Sequence, residues 1–254
     1  MDRSPPAPVP RPLAGASVVV TRPADEADAF VRRARALGAQ VLRMPGTALR
    51  ALPPPVPPRP ACDLWIFTSP AAVRHAFAGT RLYIDGAPAF AVGAGTRRAL
   101  ARHGVAATAP PERADSEGLL ALPQLADVEG RRIALVGAPG GRGLIAAQLQ
   151  RRGADVVPLH VYERVPPRWT RHQLEALGAA PEPLLTLLSS GEALAHLAQG
   201  LPQTLFARLQ RGVLVVSSER LAGLAAAAGF ADVVVAASAA GRDLFGAAVA
   251  LRRR

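Results

Sequence analysis

Short apolar segments and longer amphipathic segments alternate along most of this chain. The first apolar segment, Ser17 to Val20, is followed by apolar residues at helical spacing and then by a second apolar segment that starts near Val41. The residues at helical spacing are Ala27, Phe30, Ala34 and Leu37. Uniformly apolar strands that alternate with helices are typical of parallel sheets covered on both faces, so the pattern predicts an α/β fold.

Capping signals predict the ends of the first helix. Pro23 suits the opening turn of a helix, and Asp25 and Glu26 suit the positive end of the helix dipole. Gly38 can adopt the left-handed conformation that often follows the last helical residue. Strand, helix and second strand in this order predict a parallel crossover.

The same pattern occurs twice in the chain. Gly15 and Gly130 each precede an apolar strand, and the helix that follows ends at Gly38 or Gly153, an interval of 23 residues in both copies. Two looser matches pair Leu64 to Val73 with Leu185 to Leu194, and Phe90 to Gly104 with Val213 to Gly229. The repeat predicts a duplicated α/β unit with two parallel sheets.

Two proline-containing stretches interrupt the repeat. Leu52 to Pro60 contains six prolines and can form neither a helix nor a central strand. Glu163 to Trp169, with Pro166 and Pro167, is the second interruption. We expect the chain to pass between domains at these two places.

The charge of the chain and the type of its basic residues exclude several classes of catalytic and binding site. The formal net charge is +11, and all 30 basic residues are arginine. The absence of lysine excludes a Walker-type phosphate loop, a pyridoxal Schiff base and a lysine nucleophile. Guanidinium groups bind carboxylates and phosphates through paired hydrogen bonds, so an anionic partner is expected. The alternative is a basic surface that only aids solubility.

The cysteine content and the hydropathy indicate the compartment. Cys62 is the single cysteine, which excludes an intramolecular disulfide and a multi-cysteine metal site. The sequence shows neither a secretion signal nor an uninterrupted apolar stretch of ~18 residues that could span a membrane. We therefore expect a cytoplasmic protein without contact with a membrane.

Small hydroxyl and glycine residues follow most of the predicted strands. Ligands of open parallel sheets bind beyond the carboxyl ends of the strands, where helix amino termini present N–H groups. For any one of these turns helix capping is the better explanation, but six of them on one edge favour a binding surface. They are Thr21-Arg22, Thr68-Ser69, Gly93 to Thr96, Gly137 to Gly143, Ser189 to Gly191 and Ser217-Ser218.

Other candidate sites are weaker. Gly141 to Ala146, with Glu163 downstream, matches a relaxed dinucleotide fingerprint, but the preceding strand ends too early for the tight first turn. Tyr162 ends the predicted strand Val156 to Val161, and its phenol could donate a proton to a departing hydroxyl or serve as a structural aromatic at a hinge. The histidines show no ligand spacing and are expected on the surface or in the core; they are His75, His103, His160, His172 and His196.

Ordered motifs in both halves carry a resemblance to a known family. They are TRP at Thr21 to Pro23, IFTSPAAV at Ile66 to Val73, AVGAGTRRAL at Ala91 to Leu100, SEGLL at Ser116 to Leu120, then GGRGLIAAQLQRRGADV, VYER, LSSGEAL and SSERL. In this order they resemble the uroporphyrinogen-III synthase family over about Gly15 to Leu251. The match at Ser217-Ser218 is looser, because many members have Gly-x-x-Thr there.

The resemblance implies two flavodoxin-like domains joined by a two-stranded linker, with the substrate in the cleft between them. One domain would comprise residues 15–43 and 168–254 and the other residues 50–160, with linkers at 44–49 and 161–167 and a disordered proline-rich leader at 1–14. The chain is expected to be a monomer.

The resemblance also implies the activity. The family is a cofactor-free and metal-free lyase of tetrapyrrole (heme) biosynthesis that converts hydroxymethylbilane into uroporphyrinogen III. A hydroxyl leaves, an azafulvene forms, and a spiro intermediate inverts the last ring before the macrocycle closes. A transient contact with the upstream hydroxymethylbilane synthase is expected, and no nucleic acid. The alternative is a non-catalytic anion- or nucleic-acid-binding regulatory module on the same duplicated fold.

The resemblance identifies Tyr162 as the family's tyrosine that assists departure of the hydroxyl, in an auxiliary role. The resemblance and the loops at the strand ends together indicate the expected substrate-binding residues. They are Arg22, Thr68, Ser69, Pro70, Gly93, Thr96, Ser116, Arg142, Ser189, Ser190, Gly191, Ser217 and Ser218.

Overall fold

The computed structural model describes residues 11–53, 61–78, 82, 84, 86–140 and 143–252. The chain divides into two compact units. Unit 1 consists of Met1–Ala48 and Val165–Arg254, and unit 2 consists of Leu49–Arg164. Unit 1 is therefore built from both ends of the chain, and unit 2 is continuous.

The amino-terminal segment of unit 1 forms a strand, a helix and a strand. They are β1 (Ser17–Val20), α1 (Asp28–Ala36) and β2 (Gln40–Arg43). Gly38 has φ +91°, as expected for the residue after a helix end. The start of the helix differs from the expectation. Pro23 lies in a separate turn, where its carbonyl accepts a hydrogen bond from the Glu26 N–H, and α1 begins only at Asp28.

The leader is also shorter than expected from the sequence. Leu13 is fully buried, and its N–H donates to the Leu37 carbonyl, because the residues just before β1 complete the core beneath α1. Residues 11–14 thus belong to unit 1. Residues 1–10 and the proline cluster at 54–60 lie outside the described residues.

Unit 2 contributes the next elements in chain order. They are β3 (Ala48–Ala51), β4 (Leu64–Phe67), α2 (Pro70–Phe77), β5 (Ala89–Ala91), α3 (Ala94–Ala101), β6 (Ala107–Thr108), α4 (Ser116–Leu120), a 3₁₀ turn (Pro123–Leu125), β7 (Arg132–Gly137), α5 (Leu144–Arg151), β8 (Asp155–His160) and β9 (Tyr162–Val165).

The rest of the chain completes unit 1. Its elements are α6 (Arg171–Ala179), β10 (Leu184–Leu188), α7 (Gly191–Gly200), α8 (Gln203–Arg211), β11 (Val213–Val216), α9 (Glu219–Ala227), β12 (Asp232–Val235) and α10 (Gly241–Leu251).

Each unit contains one five-stranded parallel sheet. The order in unit 1 is β2-β1-β10-β11-β12, and the order in unit 2 is β8-β7-β4-β5-β6. This confirms the α/β fold class. The repeat pairs β1 with β7 and β10 with β4, so the two sheets have equivalent strand orders. In unit 1 the strand pair β1 and β2 comes first along the chain, whereas in unit 2 the corresponding pair, β7 and β8, comes after β4, β5 and β6. The two units are therefore circular permutations of each other.

Strands that are buried on both faces explain the uniformly apolar segments. In β1, Val18 and Val20 contact α1 and α10 residues on one face, whereas Val19 packs on the other face with the α6 and α7 residues. In β4, Trp65 and Ile66 likewise belong to cores on opposite faces. Successive side chains of a strand point to opposite faces, so a strand covered by helices on both sides has mostly apolar residues at all its positions.

A separate two-stranded sheet pairs β3 with β9, at the two places where the chain passes between the units. The Leu52 N–H donates to the Val161 carbonyl, and Arg50 forms an ion pair with Glu163, with Nη2 2.6 Å from Oε1. Tyr162 is therefore the first residue of β9 rather than the end of the preceding strand, because β8 already ends at His160.

Candidate functional site

Unit 2 has a cavity of about 290 Å³ at the carboxyl ends of its strands. It lies beside β4 and β7, the neighbouring strands from which the chain leaves in opposite directions, towards β5 and towards β8. Such a switch point is the usual ligand site of a parallel sheet. The hydroxyl, imidazole and guanidinium side chains that line it are Thr68, Ser69, Ser116, His160, Tyr162 and Arg164. Among the described residues that line it, none is Asp or Glu.

Ser69 and Tyr162 form a hydrogen-bonded pair in this cavity. The Tyr162 Oη lies 3.3 Å from the Ser69 Oγ, and either hydroxyl can be the donor. The Ser69 Oγ also accepts a hydrogen bond of 3.0 Å from the Ala72 N–H, since Ser69 is the N-cap of α2. The cap fixes the Ser69 side chain, so the position of the Tyr162 hydroxyl is fixed in turn.

The ring of Tyr162 is held by two further side chains. Tyr162 is only 2% exposed. The His75 ring of α2 stacks on it, with the centroids 5.1 Å apart and the planes inclined by 21°. The Arg164 Cζ lies 5.9 Å from the Tyr162 centroid, within reach of a cation–π contact. The phenol is therefore oriented through both its hydroxyl and its ring.

Thr68 and Gly137 shape the floor of the cavity. The Thr68 Oγ1 donates to the Val136 carbonyl at 3.1 Å. A Cβ atom added to Gly137 would lie 2.5 Å from the Thr68 Oγ1, so a larger residue at 137 would displace the Thr68 side chain. This close approach explains the glycine at the end of β7.

The other expected residues of unit 2 do not all line this cavity. Ser116 lines the cavity at the start of α4. Pro70 is the first residue of α2, and Gly93 is the N-cap of α3. Thr96 is buried in α3. Arg142 lies outside the described residues.

In unit 1 the expected residues lie at the carboxyl ends of three neighbouring strands. Ser190 caps α7 by accepting from the Ala193 N–H, and Ser218 caps α9 by accepting from the Leu221 N–H, both at 3.4 Å. The expectation that they could be helix caps is thus confirmed. The remaining residues at these strand ends, which are half-buried, are Ser189, Gly191 and Ser217.

Arg22 follows β1, at the position that corresponds to Gly137 in the repeat. Its Nη2 donates to the Ala239 carbonyl at 2.6 Å, and its Cζ lies 4.9 Å from the Phe30 centroid. Burial lowers the pKa of the Arg22 guanidinium, and the Glu26 carboxylate opposes this shift. The Arg22 side chain is thus engaged with its own unit, whereas Gly137 leaves the switch point of unit 2 open.

Sequence reasoning missed three residues around Tyr162. His75 and His160 were expected in the core or on the surface, yet His75 stacks on Tyr162 and His160 lines the cavity. Arg164 was not identified at all. The alternation of His160, Tyr162 and Arg164 along an extended segment is a signal that could have revealed His160 and Arg164, because alternate residues of a strand share a face.

The structure gives little support to the competing sites. The loop from Gly137 to the start of α5 at Leu144 is too long for the tight turn of a dinucleotide fingerprint. In the described part of the chain, no cluster of three or more His, Cys, Asp or Glu side chains is placed to hold a metal ion. Among the helices of the same residues, none has the length and apolar character needed to cross a membrane.

Solved structures with this fold cover nearly the whole chain. The uroporphyrinogen-III synthetase of Helicobacter pylori matches with a TM-score of 0.67, 14% identity and coverage of 93% of this chain and 99% of that chain. A mutant uroporphyrinogen III synthase of Thermus thermophilus matches with a TM-score of 0.55, 24% identity and coverage of 94% and 100%. These structures support the assignment of the fold.

Sequence comparison establishes the family. A uroporphyrinogen-III synthase of Salmonella typhimurium is 36% identical over 240 residues, which cover 88% of this chain and 96% of that protein. A uroporphyrinogen-III synthase of Escherichia coli is 33% identical over 239 residues, with the same coverage. The family model described as uroporphyrinogen-III synthase HemD matches residues 28–246. The chain therefore belongs to the uroporphyrinogen-III synthase HemD family.

Proposed function

We propose that this chain is a uroporphyrinogen-III synthase, a lyase that closes hydroxymethylbilane to uroporphyrinogen III with inversion of ring D. Membership of the family supports this enzyme over a nucleic-acid-binding regulatory module. At the level of residues, the proposal rests on the hydrogen-bonded Ser69–Tyr162 pair in the cavity of unit 2.

The cavity suits one end of the substrate. Hydroxymethylbilane carries a carboxylate at the end of each of its acetate and propionate side chains, and the described lining residues include no acidic side chain that would repel them. A volume of about 290 Å³ is at the lower end of the ~300–1,000 Å³ range of small-molecule sites. We infer that the cavity holds a single substituted pyrrole ring, the one that bears the hydroxymethyl group.

The Tyr162 hydroxyl supplies the proton for the first step. It donates to the oxygen of the hydroxymethyl group as the carbon–oxygen bond breaks, so water leaves and a cationic azafulvene, still protonated on its ring nitrogen, remains. The Ser69 hydroxyl holds the phenol towards the leaving group and can donate to the phenolate that forms. The proton that is lost when the last pyrrole regains its aromaticity restores the phenol.

In this proposal, positioning of the substrate accounts for most of the rate acceleration. Pyrroles are reactive nucleophiles, so the protein mainly has to hold the chain of rings in a curled conformation and exclude water. We propose that Ser116 and the turns after the strands of both sheets bind carboxylates through hydroxyl and backbone N–H groups. In unit 1 these turns contain Arg22, Ser189 to Gly191 and Ser217-Ser218. In unit 2 they contain Thr68 to Pro70, Gly93 to Thr96 and Arg142.

We further propose that the two compact units are the domains of the enzyme and that it acts as a monomer in the cytoplasm. The single cysteine, Cys62, is consistent with a reducing compartment. A transient contact with the upstream hydroxymethylbilane synthase is part of the same proposal, because it would limit spontaneous closure of the free bilane to the type I isomer.

An isomer assay tests the proposed function. Purified protein and hydroxymethylbilane are incubated, the products are oxidised, and the type I and type III porphyrins are separated by chromatography. We expect mainly the type III isomer. Type I product alone, from folded protein at a concentration that exceeds the substrate, would contradict the proposal.

Tyr162→Phe tests the proton donor. We expect kcat to fall by about 10²-fold, the lower end of the usual range for a general acid, because the pyrroles are already reactive. KM should change little, since the ring and its contacts with His75 and Arg164 remain. Ser69→Ala should lower kcat less, because it removes only the group that orients the phenol. An unchanged kcat for Tyr162→Phe would remove the acid role and leave the family assignment intact.

A further inference from the structure

Three alternate residues at the end of β8 and in β9 line the cavity. They are His160, Tyr162 and Arg164, and they are spaced two residues apart. The residues between them are not part of the lining. Val161 belongs to the apolar core, and Glu163 forms an ion pair with Arg50. The period of two that an extended chain imposes therefore places an imidazole and a guanidinium on either side of the tyrosine.

Among the residues that the structure describes, no carboxylate neutralises the charge of Arg164. No acidic side chain among the described residues forms an ion pair with it, whereas Arg43, Arg50 and Arg113 each have a carboxylate partner. The Arg164 side chain is exposed where it borders the cavity. A guanidinium that has no carboxylate partner among the described residues, at the wall of a cavity whose described lining is free of acidic side chains, is a binding group for a carboxylate.

We propose that Arg164 binds a carboxylate of the substrate ring that occupies the cavity, with His160 as a second donor on the other side of Tyr162. This inference deepens the proposed function and rests on it. A carboxylate held by Arg164 fixes the ring next to the Tyr162 hydroxyl, because the guanidinium carbon lies only 5.9 Å from the tyrosine ring. Arg164 is thus a residue that determines specificity for the acidic side chains of the substrate.

The test compares Arg164→Gln with a matched control. Arg131→Gln removes the same charge from the same unit, at an exposed position that does not line the cavity. Because a hydrogen bond to a charged group is usually strong, we expect Arg164→Gln to raise the KM for hydroxymethylbilane by roughly 10- to 100-fold. The kcat should fall by no more than about fivefold, since the proton donor remains and only the cation–π contact with its ring is lost. Arg131→Gln should leave both constants unchanged.

A direct binding measurement separates this inference from the proposed function. Calorimetric titration with uroporphyrin III, the stable oxidised form of the product, measures carboxylate binding without turnover. We expect Arg164→Gln to weaken this binding by the same factor and Arg164→Lys to recover part of it, because lysine keeps the charge but not the paired hydrogen bonds. His160→Asn should weaken the binding of uroporphyrin III less than Arg164→Gln does. If Arg164→Gln fails to fold, the His160→Asn variant tests the same carboxylate site.

The outcomes are distinct. If Arg164→Gln matches Arg131→Gln in KM and in uroporphyrin affinity, the carboxylate site is refuted, whether or not the wild type forms the type III isomer. If the wild type forms no type III isomer but Arg164→Gln still weakens uroporphyrin binding, the carboxylate site stands and the proposed function fails.

Discussion

A close contact at the floor of the cavity predicts the effect of Gly137→Ala. The new Cβ would lie 2.5 Å from the Thr68 Oγ1, and atoms this close must separate. Thr68 cannot rotate freely, because its hydroxyl donates to the Val136 carbonyl at 3.1 Å. The substitution therefore forces either a shift of the strand or the loss of that hydrogen bond. Overpacking of this kind costs about 1–3 kcal/mol of unfolding free energy.

A second substitution isolates this contact. Thr68→Ala removes the Oγ1 and the Cγ2, after which the nearest remaining atom, the Thr68 Cβ, would lie 3.6 Å from the new methyl group, an ordinary contact. By itself Thr68→Ala costs about 1 kcal/mol, the value of a typical hydrogen bond. In the Thr68→Ala background, Gly137→Ala should cost less than about 0.5 kcal/mol, so the coupling energy of the pair is expected at about 0.5–3 kcal/mol.

Urea denaturation of the four proteins measures this coupling. Trp65 is buried in unit 2 and Trp169 belongs to unit 1, so a common Trp169→Phe background lets tryptophan fluorescence report on unit 2 alone. The midpoint of Gly137→Ala should fall, whereas the double variant should unfold close to Thr68→Ala. An equal cost of Gly137→Ala in both backgrounds would refute the reasoning, since the Thr68 hydroxyl would then not occupy the space beside residue 137.

The remaining predictions concern two side chains of unit 2. His75→Ala removes the ring that stacks on Tyr162 and should lower kcat by about 2- to 12-fold, because such a pair contributes ~0.5–1.5 kcal/mol; His75→Phe should restore most of the activity, and equal losses in both variants would argue against stacking. Burial raises the pKa of the Cys62 thiol, while Arg132 opposes the shift, so less thiolate is present at pH 8 than in a free thiol. Iodoacetamide should therefore alkylate Cys62 more slowly than glutathione, with the rate still rising above pH 9; alkylation faster than that of glutathione would contradict this.

The duplicated fold could be predicted because its signal is local. The apolar strands, Gly38 with its positive φ and the equal intervals between glycines all reflect backbone geometry that a sequence shows directly. The start of α1 could not be predicted in this way. Pro23 with its acidic neighbours suits a helix start, but the same residues also form an isolated turn.

The surroundings of Tyr162 depend on contacts between distant segments. His75 approaches Tyr162 only because β4 and β7 are neighbours in the sheet, and the hydrogen bond with Ser69 joins residues 93 positions apart. The difference between the two switch points has the same origin. Gly137 and Arg22 occupy corresponding positions in the repeat, but only their contacts in the folded protein distinguish them. Gly137 has no side chain to fill the cavity of unit 2, whereas the Arg22 side chain contacts Ala239 and Phe30 of unit 1.

The order of the strands along the chain determines when each unit can fold during synthesis on the ribosome. Unit 2 is continuous and can fold as soon as it emerges, but β1 must wait for β10, its central neighbour, which is encoded more than 160 residues later. At roughly 5–20 residues per second, the apolar segment Val18 to Val20 can pair with β2 but stays without β10 for about 10–30 s. The nascent amino terminus therefore exposes an apolar strand that a chaperone can protect during synthesis.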